Sequence, residues 1–192
     1  MNPSESFYTE DTRRWLERAV IGLNLCPFAK AVHVKQQIHY ALSQARGVNE
    51  LRDELGTQLR ELVKLNPEVR ETTLLIVPKV LRDFLDFNDF LAEAEEVLTA
   101  LDLEGVIQIA SFHPDYQFAG TRADDITNFT NRSPYPTLHL IREASIDRAV
   151  EAFPDPEVIF ETNMNTLEKL GLAGWVALDV GPTLTSESRH EK

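Results

Sequence analysis

Between two long amphipathic patterns, residues Thr73 to Val77 form a short, unbroken apolar run that stops at Pro78. A strand with one wet face alternates polar and apolar residues; a run without alternation has the pattern of a strand covered on both faces. A chain that contains it has to supply layers on both sides of a sheet. The flanking segments suit that task. Leu51, Leu55, Leu59 and Leu62 recur at helical spacing over about residues 48 to 65, closed by Asn66-Pro67. Phe87, Phe90, Leu91, Ala94, Val97, Leu98 and Leu101 predict a second long helix, with Gly105 as its stop.

Three more strands are expected. Val32 to Leu42 alternates Val32, Val34, Ile38, Tyr40 and Leu42 against His33, Lys35, Gln37 and His39, and Val106 to Phe112 and Thr137 to Ile141 are apolar runs. Residues 175 to 180 are a candidate fifth. Trp15, Leu16, Ala19, Val20 and Leu23 share one face of a helix over residues 9 to 23, with Thr9 as N-cap and Gly22 and Asn24 at its end. Two closing helices are expected, one capped by Ser145 and one begun by Asp155-Pro156 with Gly171 as stop. The pattern predicts a single α/β domain over residues 1 to 180, a mixed four- to five-stranded sheet with helices packed on it. Residues 181 to 192 read as a polar, disordered tail.

Composition narrows the function classes. A chain of 192 residues with a formal net charge of −12 has no basic stripe to neutralise a phosphate backbone, which argues against nucleic acid as a partner. No apolar run approaches a bilayer span, and the first twenty residues lack the basic and apolar regions of a signal peptide, so a soluble cytoplasmic protein without a membrane partner is expected. Cys26 is the sole cysteine, which excludes an intrachain disulfide and paired-thiol zinc motifs and fits a reducing compartment. Oligomeric state leaves no signature in this sequence.

The segment from 113 to 136 separates two strands by roughly two dozen residues, against a usual connection of about four to six. It gathers His113, Asp115, Tyr116, Gln117, Asn128, Asn131, Arg132 and Ser133, and it leaves the carboxyl end of a strand, where open α/β sheets receive ligands. His113 is a candidate general acid or base oriented by Asp115, with His139 on the next strand and Cys26 in an irregular break as possible assistants. Arg132 is the candidate anion fork, supported by Asn131, Ser133, Tyr116 and Gln117. Each has a structural alternative: His113 bonded to loop backbone, Arg132 tied to Asp124 or Asp125, Cys26 buried and inert. Asn163 falls on the apolar face of the last helix, where an amide needs partners and is expected to pin the loop from beneath. HExxH, HxH and Cys/His zinc spacings are absent, as are GxxxxGK[ST] and GxGxxG, so no metal site or cofactor is assigned.

The segments IGLNLCPFA at 21 to 29, DFLDFNDFL at 83 to 91, ASFHPDYQFAGT at 110 to 121 and TNRSPYPTLHLIREAS at 130 to 145 together resemble the bacterial family designated domain of unknown function 1415. The resemblance runs to about Trp175 and implies one family-sized domain; the family name carries no activity. From the residues themselves the leading expectation is an enzyme acting on a small anionic metabolite at the 113–136 loop. The alternatives are a non-catalytic ligand-binding or regulatory protein, and a haem or metal binder using Cys26 and histidine.

Overall fold

The computed structural model describes residues 6–152 and 156–183. In chain order the elements are α1 (Ser6–Trp15), a π-helical turn (Leu16–Ile21), α2 (Ala29–Val34), β1 (Ile38–Leu42), α3 (Val48–Lys64), β2 (Thr72–Ile76), α4 (Phe84–Ala100), β3 (Ile107–Phe112), a 3-10 turn (Ile126–Asn131), β4 (Thr137–Arg142), α5 (Glu143–Ala152) and α6 (Pro156–Ala177). The four strands form one mixed sheet in the order β1-β2-β4-β3. β1 and β2 are parallel, and β4 runs antiparallel to both β2 and β3. The run that predicted double coverage is β2, whose five residues are all buried.

The topology decides which helix covers which face. The crossovers β1-α3-β2 and β2-α4-β3 step across the sheet in the same direction, so their right-handedness puts α3 and α4 on the same side. There Leu51, Leu55, Leu59, Leu62, Phe87, Phe90 and Leu98 pack against Ala41, Leu75, Leu138, Leu140 and Ile107. The other face is left to the chain's two ends. Trp15, Leu16, Ala19 and Val20 cluster there with Val180, Ile38, Tyr40 and Phe112.

Several element ends depart from the sequence expectation. Residues 29 to 34 are helical rather than the start of a strand. The helix α2 closes with Gln36 at φ +57 and the bonds Gln36 N to His33 O and Gln37 N to Val32 O, a left-handed stop that normally shows glycine or asparagine. Asn24 at φ +55 ends the first helical stretch in the same manner, as expected. The helix α4 stops at Ala100 through Asp102 at φ +56, not at Gly105. Thr9 lies inside α1 rather than at its cap, Asp83 caps α4, and Ser145 lies within α5 rather than ahead of it. Gly171, at φ +63 and ψ 173, is non-helical and ends the first part of α6, as expected; a short second helix follows it, and residues 175 to 180 finish that helix and turn instead of adding a strand. Asp155 lies outside the described residues; α6 does begin at Pro156.

The carboxylate of Asp11, fully buried, ties the chain's ends together. It accepts from Tyr135 Oη (2.6 Å), Thr183 N (2.7 Å), Thr183 Oγ1 (2.6 Å) and the Arg14 guanidinium (2.8 Å). Arg14 also donates to the carbonyls of Asp179 and Gly181. The order in the C-terminal segment thus extends past Gly181 to Thr183, beyond the expected start of the tail; residues 184 to 192 lie outside the described residues.

Candidate functional site

The 113–136 loop is docked by its aromatic residues. Tyr116 meets Phe84 of α4, Phe118 meets Phe160 of α6, Phe129 meets Trp175, and Tyr135 meets Tyr8 of α1. Its polar groups turn inward. Asn128, fully buried, accepts from Phe118 N and Thr121 Oγ1 and donates to Arg122 O. Asn131 Nδ2 donates to Ser111 O, Gln117 Nε2 to Thr121 O, and Ser133 Oγ to Tyr135 O. Arg132 donates from Nε to Tyr116 O (3.2 Å) and from Nη2 to Ala123 O (2.7 Å), with its guanidinium carbon 4.3 Å from the centre of the Phe129 ring. The fork that was expected to hold an anion spans two backbone carbonyls. Neither Asp124 nor Asp125 ties it down: Asp124 pairs with Arg122, and Asp125 caps the 3-10 turn.

His113 is fully buried between Phe84 and Phe87. Its Nδ1 accepts from the amide of Asp115 (3.0 Å) and its Nε2 lies 3.2 Å from Leu81 O. The neutral tautomer with the proton on Nε2 satisfies both contacts. Burial pushes the imidazole pKa down, against the raising effects of the Leu81 carbonyl and the Asp115 carboxylate. Asp115 thus orients the ring through its backbone amide, not through the exposed carboxylate that was expected to do so. With both nitrogens bonded to backbone, His113 has no ring atom left to exchange a proton with substrate.

Pleating separates the residues expected to act together. Successive side chains on a strand point to opposite faces. Phe112 pairs with Thr137, which places Phe112, Thr137 and His139 on one face and leaves His113 on the α4 side. Cys26 lies with His139. Both line a cavity of about 520 Å³ on the face covered by the chain's ends, walled by Trp15, Leu16 and Val20 of the first helical stretch, Phe28, Ala29 and Val32 from the α2 region, Ile38, Leu74, Phe112 and Ile141 of the sheet, and Ile146 of α5. Space is left because α2 is only six residues long and none of them is buried. Two wall residues, Leu16 and Val20, come from the π-helical turn, a geometry that recurs at binding sites.

Few polar groups reach this cavity. Thr72 Oγ1 lies 2.6 Å from His139 Nε2 and 2.6 Å from Leu140 O. Burial pushes His139 down to about 4, so the ring is neutral at physiological pH. At the opening, Glu71 accepts from Ser145 Oγ and Arg148 Nη2 (2.7 Å), beside a polar groove with Lys35, Gln37 and Asn66. The opening is at the amino ends of β1 and β2, at the opposite end of the sheet from the long loop. Asn163, 6% exposed, donates to Leu25 O and so pins the break containing Cys26 rather than the loop.

A largely apolar cavity of this size with a few convergent polar groups and a neutral, partly buried histidine is the usual form of a small-molecule site. The sequence did not point to Thr72, Glu71 and Arg148 as neighbours of His139. The period-two alternation of β2 and β4 carried the signal for Thr72, once the strands are known to pair Thr72 with Ile141 and Leu74 with His139. Asp11 had no signal at all, since its partners lie in distant parts of the chain. Among the described residues no group of three or more His, Cys, Asp or Glu side chains is placed to hold a metal ion, and no helix is long and apolar enough to cross a membrane.

Comparison with known proteins places the chain. No curated protein and no solved structure matches it. The family described as "Protein of unknown function (DUF1415)" matches residues 8–177, and with that match covering most of its length, the chain belongs to the DUF1415 family.

Proposed function

We propose that this protein binds a small, largely apolar molecule in the cavity between the sheet and the α1–α2 side, acting as a ligand-binding or regulatory protein. The observation that carries the reading is the 520 Å³ apolar cavity itself, with His139 and Thr72 as a part-buried polar contact in its wall. Concave apolar space of that volume is within the range of about 300–1,000 Å³ common to ligand pockets. Catalysis on a small anionic metabolite at the 113–136 loop draws less support, because Arg132, Asn131, Ser133, Gln117 and His113 are bonded within the loop and its surroundings. A cytoplasmic setting is supported by the single thiol, and the net charge of −12 disfavours nucleic acid as a partner.

The test is titration with N-phenyl-1-naphthylamine, a neutral dye that brightens in apolar surroundings. Saturable binding of one dye per chain is expected, competed by other small apolar molecules. Ala29→Phe, which adds volume at the cavity wall, should abolish it with the circular dichroism spectrum unchanged. Undiminished dye binding in that variant would remove the cavity from the reading.

One observation favours a second reading: Cys26 and His139 line the same cavity, as a haem or metal ligand pair would. Absorbance spectra after addition of haem decide it. A Soret band that shifts on binding and changes in Cys26→Ser would support haem; a spectrum equal to that of free haem would dismiss it.

A further inference from the structure

Thr72 has a single hydroxyl proton and two short contacts. Leu140 O has no proton to give, so both contacts are hydrogen bonds only when Thr72 donates to the carbonyl and accepts from His139. That assignment puts the ring proton on Nε2 and leaves Nδ1 with a lone pair. Among the described residues no hydrogen-bond donor is directed at Nδ1, and His139 is a wall residue of the cavity. His139 is partly buried, so its Nδ1 is an acceptor left for a group inside the cavity, and a ligand that donates to it makes a hydrogen bond there.

The surrounding wall sets the rest of the ligand. Trp15 and Phe112 stand edge to face with ring centres 5.2 Å apart, and the Phe112 ring lies 6.3 Å from that of His139. Aromatic guests pack well against such a wall. An anionic head would be desolvated there and would meet the Nδ1 lone pair, while Arg148 at the opening is held by Glu71 and Ser145. We propose that the cavity selects a neutral aromatic molecule bearing a hydroxyl, a phenol or aryl alcohol, whose O–H donates to Nδ1 of His139. The inference rests on the cavity-binding reading above. It names His139 as the residue that distinguishes a hydroxylated ligand from its hydrocarbon, and Thr72 as the positioning residue that fixes the tautomer.

Isothermal titration of the full chain with 4-ethylphenol, ethylbenzene and 4-ethylbenzoate tests this, since the three share an ethylphenyl body and differ in one group. The phenol should bind roughly three- to tenfold more tightly than ethylbenzene, the worth of one neutral hydrogen bond, and the benzoate should bind weakest. In His139→Phe, which keeps a planar ring and removes Nδ1, the phenol should lose its advantage and bind no more tightly than the hydrocarbon, because its hydroxyl is then desolvated without a partner. Nitrogen-15 spectra of the unaltered protein give an independent readout if that variant folds poorly: the Nδ1 resonance of His139 should move on adding the phenol and stay in place on adding ethylbenzene. Equal affinity for phenol and hydrocarbon, or an unmoved Nδ1 resonance, overturns the hydroxyl inference while leaving the cavity reading intact. Binding of neither neutral compound overturns both.

Discussion

Asp11→Asn is the most searching test of how this fold closes, because the buried carboxylate faces four donors from three parts of the chain. Its Oδ1 takes Arg14 and Thr183 Oγ1, and its Oδ2 takes Tyr135 Oη and Thr183 N. The amide of asparagine has the same shape but offers one oxygen, so two of the four donors would face an NH2 group instead. Hydrogen bonds to a charged group contribute about 1.5–3 kcal/mol each, and breaking one side of a buried ion pair costs about 3–5 kcal/mol. Arg14 keeps the carbonyls of Asp179 and Gly181, at 2.7 and 2.8 Å, which holds the expected loss to about 3–4 kcal/mol. For a domain of this size each kcal/mol lowers the Tm by roughly 2–4 °C, giving a drop of roughly 6–16 °C. Tyr135→Phe removes only one of the four bonds and should lose about half as much, roughly 1.5–2 kcal/mol. The phenol it removes is held well above its ordinary pKa by burial and by the Asp11 contact, so no change of ionisation complicates the comparison. Urea unfolding followed by circular dichroism measures both variants, and amide exchange at Thr183 should rise with the loss in Asp11→Asn. A loss below about 1 kcal/mol in Asp11→Asn, or one no larger than that of Tyr135→Phe, would refute the clamp, because neither outcome fits a four-donor site.

Three further outcomes are expected. Arg132→Lys removes the planar fork that spans the carbonyls of Tyr116 and Ala123, so it should cost about 1–2 kcal/mol and loosen amides 116 to 123 together; unchanged stability and protection would contradict the structural role of the fork. Gly22→Ala places a methyl carbon 2.2 Å from the carbonyl oxygen of Arg18, so the π-helical turn must shift, at a cost of about 2–3 kcal/mol read by thermal denaturation. For pH, His139 has a folded pKa of about 4 against an ordinary 6.5, so between these values the unfolded chain binds the extra proton and stability falls as pH falls. The effect should total on the order of 3 kcal/mol, fade above pH 6.5 and shrink in His139→Phe; His113, also lowered by burial, acts in the same direction and is left intact in that variant.

Local pattern alone determined much of this protein. The unbroken run Thr73 to Val77 required a strand covered on both faces, and β2 is buried throughout, because a lack of alternation is itself a statement about two dry faces. The leucine spacing of α3 and the strands on either side of the 113–136 loop were equally legible, as was the docking of that loop, since Tyr116, Phe118, Phe129 and Tyr135 have to bury their rings. The end of α2 was not, because Gln36 occupies a left-handed position that carries no glycine to announce it.

The candidate site needed the tertiary structure. A list of chemically capable residues does not say which way each one faces. His113 follows one strand and His139 lies within the next, yet sheet register sends one against α4 and the other into a cavity with Cys26. The loop's polar residues resembled a binding set, and the folded loop uses them to satisfy its own backbone, which a long connection packed over a sheet has to do somehow. The cavity walls come from residues 15 to 148, and the Asp11 clamp from residues 11 to 183. Neither has a local spacing to read, because long-range contacts are set by strand order and crossover handedness.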